Sequence, residues 1–434
     1  MDKMADVLGR AGAWCGQNKY LSAIKNAFQN FMPLTIAGAI GVLWCNVLVN
    51  DQTGLGLFFK PIMALDFLNP AFQAVNFCTI SCITVGITLG IAQEIGIWNM
   101  GAEKAGYIPG LVGLAAWLSV TNTSHMVDGA KEAFTGIAGN ELGATGLFTG
   151  MIIGVLSVEL FCFFEKQDAL KIKMPEQVPP GVARAFEVLV PATITLIITA
   201  CIGSACYNLT GLYLNDVIKN GIQGPLGAVG ATIPGVMIIY LVIMLFWLVG
   251  IHGNNMLSAV KEALFTPLAL ENVEAFNKHE TPKNIINMYA LQMWGEFGGS
   301  GVTIGLVIAI MIFGKREDNK AIATLSLVPG LFNINETVTF GIPMVLNPIL
   351  GIPFVVTPLI TIIIGYVLTV IGFCPVACLT VPWTTPPIVF GFLACGANVM
   401  GAVTQAILIV VSTVIYVPFL ISYEKYQNKQ AAEA

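Results

Sequence analysis

The stretch "ATIPGVMIIYLVIMLFWLVGIHGNNML", residues 231–257, decides the fold class. It lies in a longer segment, Asn220 to Val260, that contains no Asp, Glu, Lys or Arg. Uncharged apolar runs of about 18 residues or more read as membrane-crossing helices, because about 20 residues of helix span the hydrocarbon. This run ends in His252, one of three histidines in the chain, followed by Gly253, Asn254 and Asn255. A titratable ring and two amides at the end of so apolar a segment need a functional explanation.

Composition extends that reading to the whole chain. Of 434 residues, 56% are hydrophobic and 10% charged, against about 25% charged in a soluble domain. The apolar runs do not alternate as barrel strands would, so an all-α polytopic membrane protein is expected. A net charge of −5 gives no sign of nucleic-acid binding. The ten cysteines are scattered, form no C-x-x-C, and read as buried apolar residues without metal ligation. No P-loop, G-x-G-x-x-G or H-E-x-x-H occurs, so neither an ATP-driven pump nor a cofactor or metal is expected. Residues 1–27, with Lys3, Arg10, Lys19 and Lys25, read as an amphipathic surface helix rather than a cleavable signal.

Spans are expected near 31–50, 71–92, 108–122, 143–164, 186–208, 225–250, 300–313, 345–371 and 400–422, with a weaker one inside 253–299. The basic segments 1–27 and 165–185 are separated by an even number of spans, so both fall in the cytoplasm by the positive-inside rule. The same count puts His252 near the inner end of its span and both termini inside, with about ten crossings in all. Residues 321–343 and 374–396 are apolar but broken by Pro and Gly. Parity holds only if neither crosses, so both are expected as re-entrant hairpins lining a protein cavity. Gly146, Gly150 and Gly154 recur every four residues, which suits close helix packing within the chain or between subunits.

Glu336 is the only charged residue between Lys320 and Glu424. It lies in "LFNINETVTFGIP", beside Asn333 and Asn335. A carboxylate at membrane depth should face a cavity and a partner; a solvated cytoplasmic loop is the plainer alternative. A lone His at a helix end is more often structural, but with Glu336 it makes a pair able to share a proton and bind a hydroxyl. "VPWTTPPIVFG", residues 381–391, has three prolines and cannot be a plain helix. It places Trp383 at a hairpin tip, and Trp247 precedes His252 by five residues. Aromatic faces stack on pyranose rings while amides and carboxylates take hydroxyls, so Trp247, Trp383, Asn254, Asn255, Asn333, Asn335, His252 and Glu336 together suggest a sugar site. For either Trp, interfacial anchoring or core packing is the alternative.

"GIHGNN", "NINE" before "FGIP", "GGSG" (298–301), "VPWTTP" and the opening "IKNAFQNFMPLTIAGAI" (24–40) resemble the membrane IIC component of sugar phosphotransferase systems, in the lactose/cellobiose/diacetylchitobiose branch. The resemblance runs through nearly the whole chain. It implies a homodimer, with an N-terminal dimerisation half (1–210) and a C-terminal transport half (211–434) whose two hairpins enclose a sugar. It also implies transfer of phosphate from a phosphocysteine on a separate IIB protein, itself served by IIA, to the C6 hydroxyl of a β-linked disaccharide. His252 and Glu336 match the motif positions that meet that hydroxyl, and either is a candidate proton acceptor. Thr337 stands where many relatives have Pro, and Asn254 and Asn255 replace small residues found in some, which leaves the disaccharide open. The rival class is a proton- or sodium-coupled secondary sugar transporter with Glu336 as its proton site.

Overall fold

The computed structural model describes Arg10, Trp14 and residues 17–51, 56, 58–125, 134–175, 177–225, 230–342 and 344–433, the side chains of Asn140 and Ala431 excepted. Gln17 begins the continuous part of that set, so most of the expected N-terminal surface helix, with Lys3, lies outside it, as does Pro343 of the FGIP element.

The described residues are predominantly helical. Five described helices are long and apolar enough to cross a membrane, or up to seven if each of two bent pairs is one span. This is a multi-pass membrane protein. The helices used below are α1 (Lys19–Leu43), α2 (Ile83–Met100), α3 (Ile108–Val120), α4 (Ala144–Glu165), α5 (Pro180–Thr210), α6 (Ile233–Leu248), α7 (Ser258–Asn277), α8 (Met288–Gly295), α9 (Ile304–Phe313), α10 (Glu317–Leu331), α11 (Glu336–Gly341), α12 (Gly351–Val370), α13 (Val389–Ala394) and α14 (Val399–Glu433). A two-stranded antiparallel ribbon pairs Ser124 with Thr135 and His125 with Phe134.

By its contacts the chain divides into two compact units. One comprises Gln17–Gly38 and Val75–Ala228; the other comprises Met1–Gly16, Ala39–Ala74 and Val229–Ala434. In the first, Ile87, Ile91 and Ile95 of α2 are fully buried, as are Trp117 of α3 and Phe161 of α4. Glu165, 1% exposed at the end of α4, holds Lys104 at 2.8 Å and Arg184 at 2.9 Å. The alternation of spans requires these three charges to meet at one end of the unit, and they do. The glycine repeat faces inward: a Cβ on Gly150 would lie 2.2 Å from Thr88 Oγ1 on α2, and Gly154 sits over the Thr88 carbonyl. These two glycines therefore serve a contact within the chain.

In the second unit the expected spans near 345–371 and 400–422 correspond to long apolar helices, whereas that at 225–250 is the shorter apolar helix α6. Among the described residues, no single helix within 253–299 has the length and hydropathy of a span. The apolar run at 300–313 is not a complete crossing. Its helix, α9, has ten residues, about 15 Å of rise, and is the second limb of a pair, Met288–Val302 and Ile304–Phe313, bent by 60°. The break falls at "GGSG", where Gly301 leaves helical geometry. Within the expected hairpin 321–343, the described residues 321–342 form a helical hairpin, α10 and α11 around a tip at 332–335. The segment 374–396 is non-helical up to Ile388, then turns through α13. The core joins Ile243, Met244 and Trp247 of α6 to Leu306 and Ile310 of α9, Phe354 of α12, and Tyr416 and Leu420 of α14. Along α14 the opposite face shows Val410 and Val414, more than 60% exposed. A helix apolar all round, with one face on protein and one bare, is what lipid contact requires.

Candidate functional site

His252 is placed by how α6 ends. Ile251 N–H donates to the Phe246 carbonyl at 3.0 Å and Gly250 N–H to that of Trp247 at 2.9 Å, with Gly250 at φ 82°. This is a Schellman stop, which needs a left-handed residue just past the helix. His252 then caps the next turn, Gly253–Met256: its Nδ1 accepts the Asn255 N–H at 3.3 Å. Position 253 must be glycine, since a Cβ there would lie 2.0 Å from the Ile243 carbonyl oxygen. With Nδ1 accepting, the neutral ring carries its hydrogen on Nε2, and Nε2 lies 3.9 Å from Glu336 Oε1.

Glu336 is placed the same way. At the end of α10, Ile334 N–H donates to the Pro329 carbonyl and Asn333 N–H to that of Gly330, both at 3.0 Å. Asn333 has φ 63°, so an asparagine does here what Gly250 does after α6. Glu336 opens α11 and is 47% exposed.

The cavity holding this pair is about 220 Å³, and its walls include Asn254, Asn255, Trp383 and Phe390. Trp383 is 44% exposed and presents an open aromatic surface. Trp247 is placed differently. It is 1% exposed, with its ring 4.4 Å from that of His252 and edge-on to Phe354. It backs the histidine and does not line the cavity.

Asn333 and Asn335 border the cavity, with the whole Asn333 amide and the NH2 group of Asn335 bound by the protein. Asn333 Oδ1 accepts the Gly298 N–H at 2.6 Å, and its Nδ2 donates to the carbonyls of Trp383 and Thr385. One side chain thus fastens the GGSG loop, the first hairpin tip and the second hairpin tip. Asn335 donates to the Ser300 carbonyl at 2.9 Å and to Thr339 Oγ1 at 3.1 Å.

Lys261, Glu296 and Gln405 are among the wall residues not singled out by the sequence. Lys261 and Glu296 form an ion pair, and Tyr240 O–H donates to the same Glu296 oxygen at 2.6 Å. Both charges lie in the weakly apolar stretch 253–299, among six further Lys and Glu residues that together lower its hydropathy. Gln405, fully buried on α14, accepts the Ile388 and Gly391 N–H groups at 2.7 and 2.8 Å and donates to the Met293 carbonyl. An amide inside an apolar span was the available signal, because it must find partners there.

A histidine and a carboxylate 3.9 Å apart, an exposed indole and several amides thus line one cavity. The family profile "Phosphotransferase system, EIIC" matches residues 25–358. The chain belongs to this EIIC family. Among its relatives, this EIIC chain is 32% identical to the oligo-beta-mannoside-specific EIIC component of Bacillus subtilis (strain 168), covering 98% of this chain and 94% of that one. It is 29% identical to the cellobiose-specific EIIC component of Lactococcus lactis subsp. lactis (strain IL1403), over 98% of each. A solved structure, the transporter ChbC, the IIC component of the N,N'-diacetylchitobiose-specific phosphotransferase system, superposes with TM-score 0.88 at 30% identity over 97% of both chains.

Proposed function

We propose that this EIIC protein carries a β-linked disaccharide across the cytoplasmic membrane and releases it inside phosphorylated on its C6 hydroxyl. The single observation that carries this reading is His252 Nε2 facing Glu336 Oε1 across 3.9 Å in a cavity walled by Trp383. A hydroxyl between the two would have a donor and an acceptor within reach, and either group can take its proton. Phosphoryl transfer needs positioning and charge control more than covalent help from the protein. The donor is the phosphocysteine of a separate IIB protein, charged in turn by IIA. The relatives named for cellobiose, oligo-beta-mannoside and N,N'-diacetylchitobiose systems support a β-linked substrate.

In this reading His252 and Glu336 are the catalytic pair, Trp383 stacks on a sugar ring, and Asn254 and Asn255 meet hydroxyls. Lys261 and Glu296 complete the polar wall. Asn333, Asn335 and Trp247 hold the geometry. The working form is a homodimer joined through the N-terminal half, with both termini in the cytoplasm.

The test is phosphorylation of radiolabelled cellobiose by membrane vesicles supplied with phospho-IIB. His252→Ala or Glu336→Gln should lower the rate about 100-fold or more, the usual worth of a positioned acid–base group. Normal phosphorylation by either variant would remove the assignment. Accumulation of unmodified sugar without phosphoenolpyruvate would instead show a secondary transporter.

A further inference from the structure

The charges on the cavity wall are unevenly compensated. Lys261 and Glu296 are paired with each other, only 7% and 16% exposed, and Tyr240 closes the cluster from behind. Their charges cancel inside the wall. Glu336 is 47% exposed, and its neighbour is an imidazole whose Nδ1 is already an acceptor. With that ring neutral, the wall presents one uncompensated negative charge, located at the hydroxyl to be phosphorylated.

We infer that Glu336 also makes the cavity reject its own product: the neutral disaccharide is accepted and its phosphate ester is repelled. The inference rests on the function proposed above. In the transfer, the S–P bond of the phosphocysteine breaks and an O–P bond forms at the sugar. Sulfur leaves as thiolate, and the hydroxyl proton passes to His252 or Glu336. When that proton has gone on to water, a carboxylate faces a phosphomonoester carrying about −1.5 to −2 charge. Lys261 is held by Glu296 and is not free to offset it. Like charges a few ångströms apart in a cleft that still admits salt weaken binding on the order of tenfold or more. Phosphorylation then supplies the force for release, and a phosphosugar already in the cytoplasm does not occupy the site.

The experiment measures displacement of radiolabelled cellobiose from the full-length protein in nanodiscs. The competitors are cellobiose, its C6 phosphate ester and its neutral C6 methyl ether, the last separating bulk from charge. In the wild type at low salt the ester should bind at least tenfold more weakly than the ether. That gap should narrow at least fivefold in Glu336→Gln, and narrow likewise at high salt. Equal binding of ester and ether, or a gap unchanged in Glu336→Gln, overturns the inference. If Glu336→Gln binds none of the ligands, the wild-type salt series decides: a gap insensitive to salt overturns it. Failure of the wild type to bind any β-linked disaccharide would remove the functional reading itself. Sugar binding with full tolerance of the ester removes only product rejection.

Discussion

The loops that present His252 and Glu336 end their helices with the same pair of hydrogen bonds but with different residues. After α6 the left-handed position is Gly250; after α10 it is Asn333. Gly250 only turns the chain. Asn333 turns it and then spends its whole amide on three other backbone groups. The side chains of the histidine loop are fixed locally, by its own cap and by Trp247 behind the ring, with one backbone bond from outside, Leu346 N–H to the Leu248 carbonyl at 2.8 Å. The glutamate loop is fixed from outside by a side chain, and cannot be right unless two neighbouring segments are right as well.

Substitutions can break or sharpen that contrast. The largest effect is expected for Gly253→Ala. The new methyl would strike the Ile243 carbonyl, a backbone atom that cannot swing aside. His252 would be displaced by about an ångström, and phosphorylation should fall about 100-fold. Trp247→Ala should lower stability by about 3–5 kcal/mol, as loss of a buried indole does, and should shift thermal unfolding in detergent. Trp383→Ala should leave unfolding nearly unchanged and weaken sugar binding on titration. If Trp383→Ala destabilised as much as Trp247→Ala, the distinction between a backing and a contacting indole would collapse. Next comes Asn333→Gly, which keeps the turn and deletes the three bonds. A loss of about 1–3 kcal/mol is expected, since each of three bonds at part-buried or exposed positions contributes about 0.5–1.5 kcal/mol at most. An effect near zero would mean that the turn was all Asn333 supplied. Smallest is the histidine loop: Gly250→Ala should cost about 1–2 kcal/mol for a left-handed alanine, and Gly250→Asn less, because asparagine tolerates that conformation.

Much of this was legible in the sequence for a physical reason. Charge is too costly in hydrocarbon to be placed without purpose, so the uncharged runs marked the spans and Glu336 stood out alone. Proline spacing marked 374–396 as non-helical. The bend before α9 was not legible in the composition of 300–313, which is as apolar as a complete span; its length, short of the roughly 20 residues a crossing needs, was the available signal. Lys261 and Glu296 were hidden by the opposite effect: they lie among six other Lys and Glu residues in 253–299, and nothing in the sequence marks which two pair at the cavity wall. Asn333 and Asn335 do line the cavity and Trp247 lies behind the histidine, but type and position could not tell how much of an amide is spent on backbone. Gln405 was missed because its three partners come from segments far from it in sequence.

The triple engagement of Asn333 has a bearing on exchange between relatives. Transplanting the second hairpin alone, in the hope of importing another protein's sugar preference, would move the two carbonyls that hold Asn333 and so shift the carboxylate three residues on. The smallest portable piece is a set of three discontinuous stretches, the GGSG loop and both hairpin tips. Sugar preference and turnover should therefore change together in single-segment chimaeras and separate only when all three stretches travel as one.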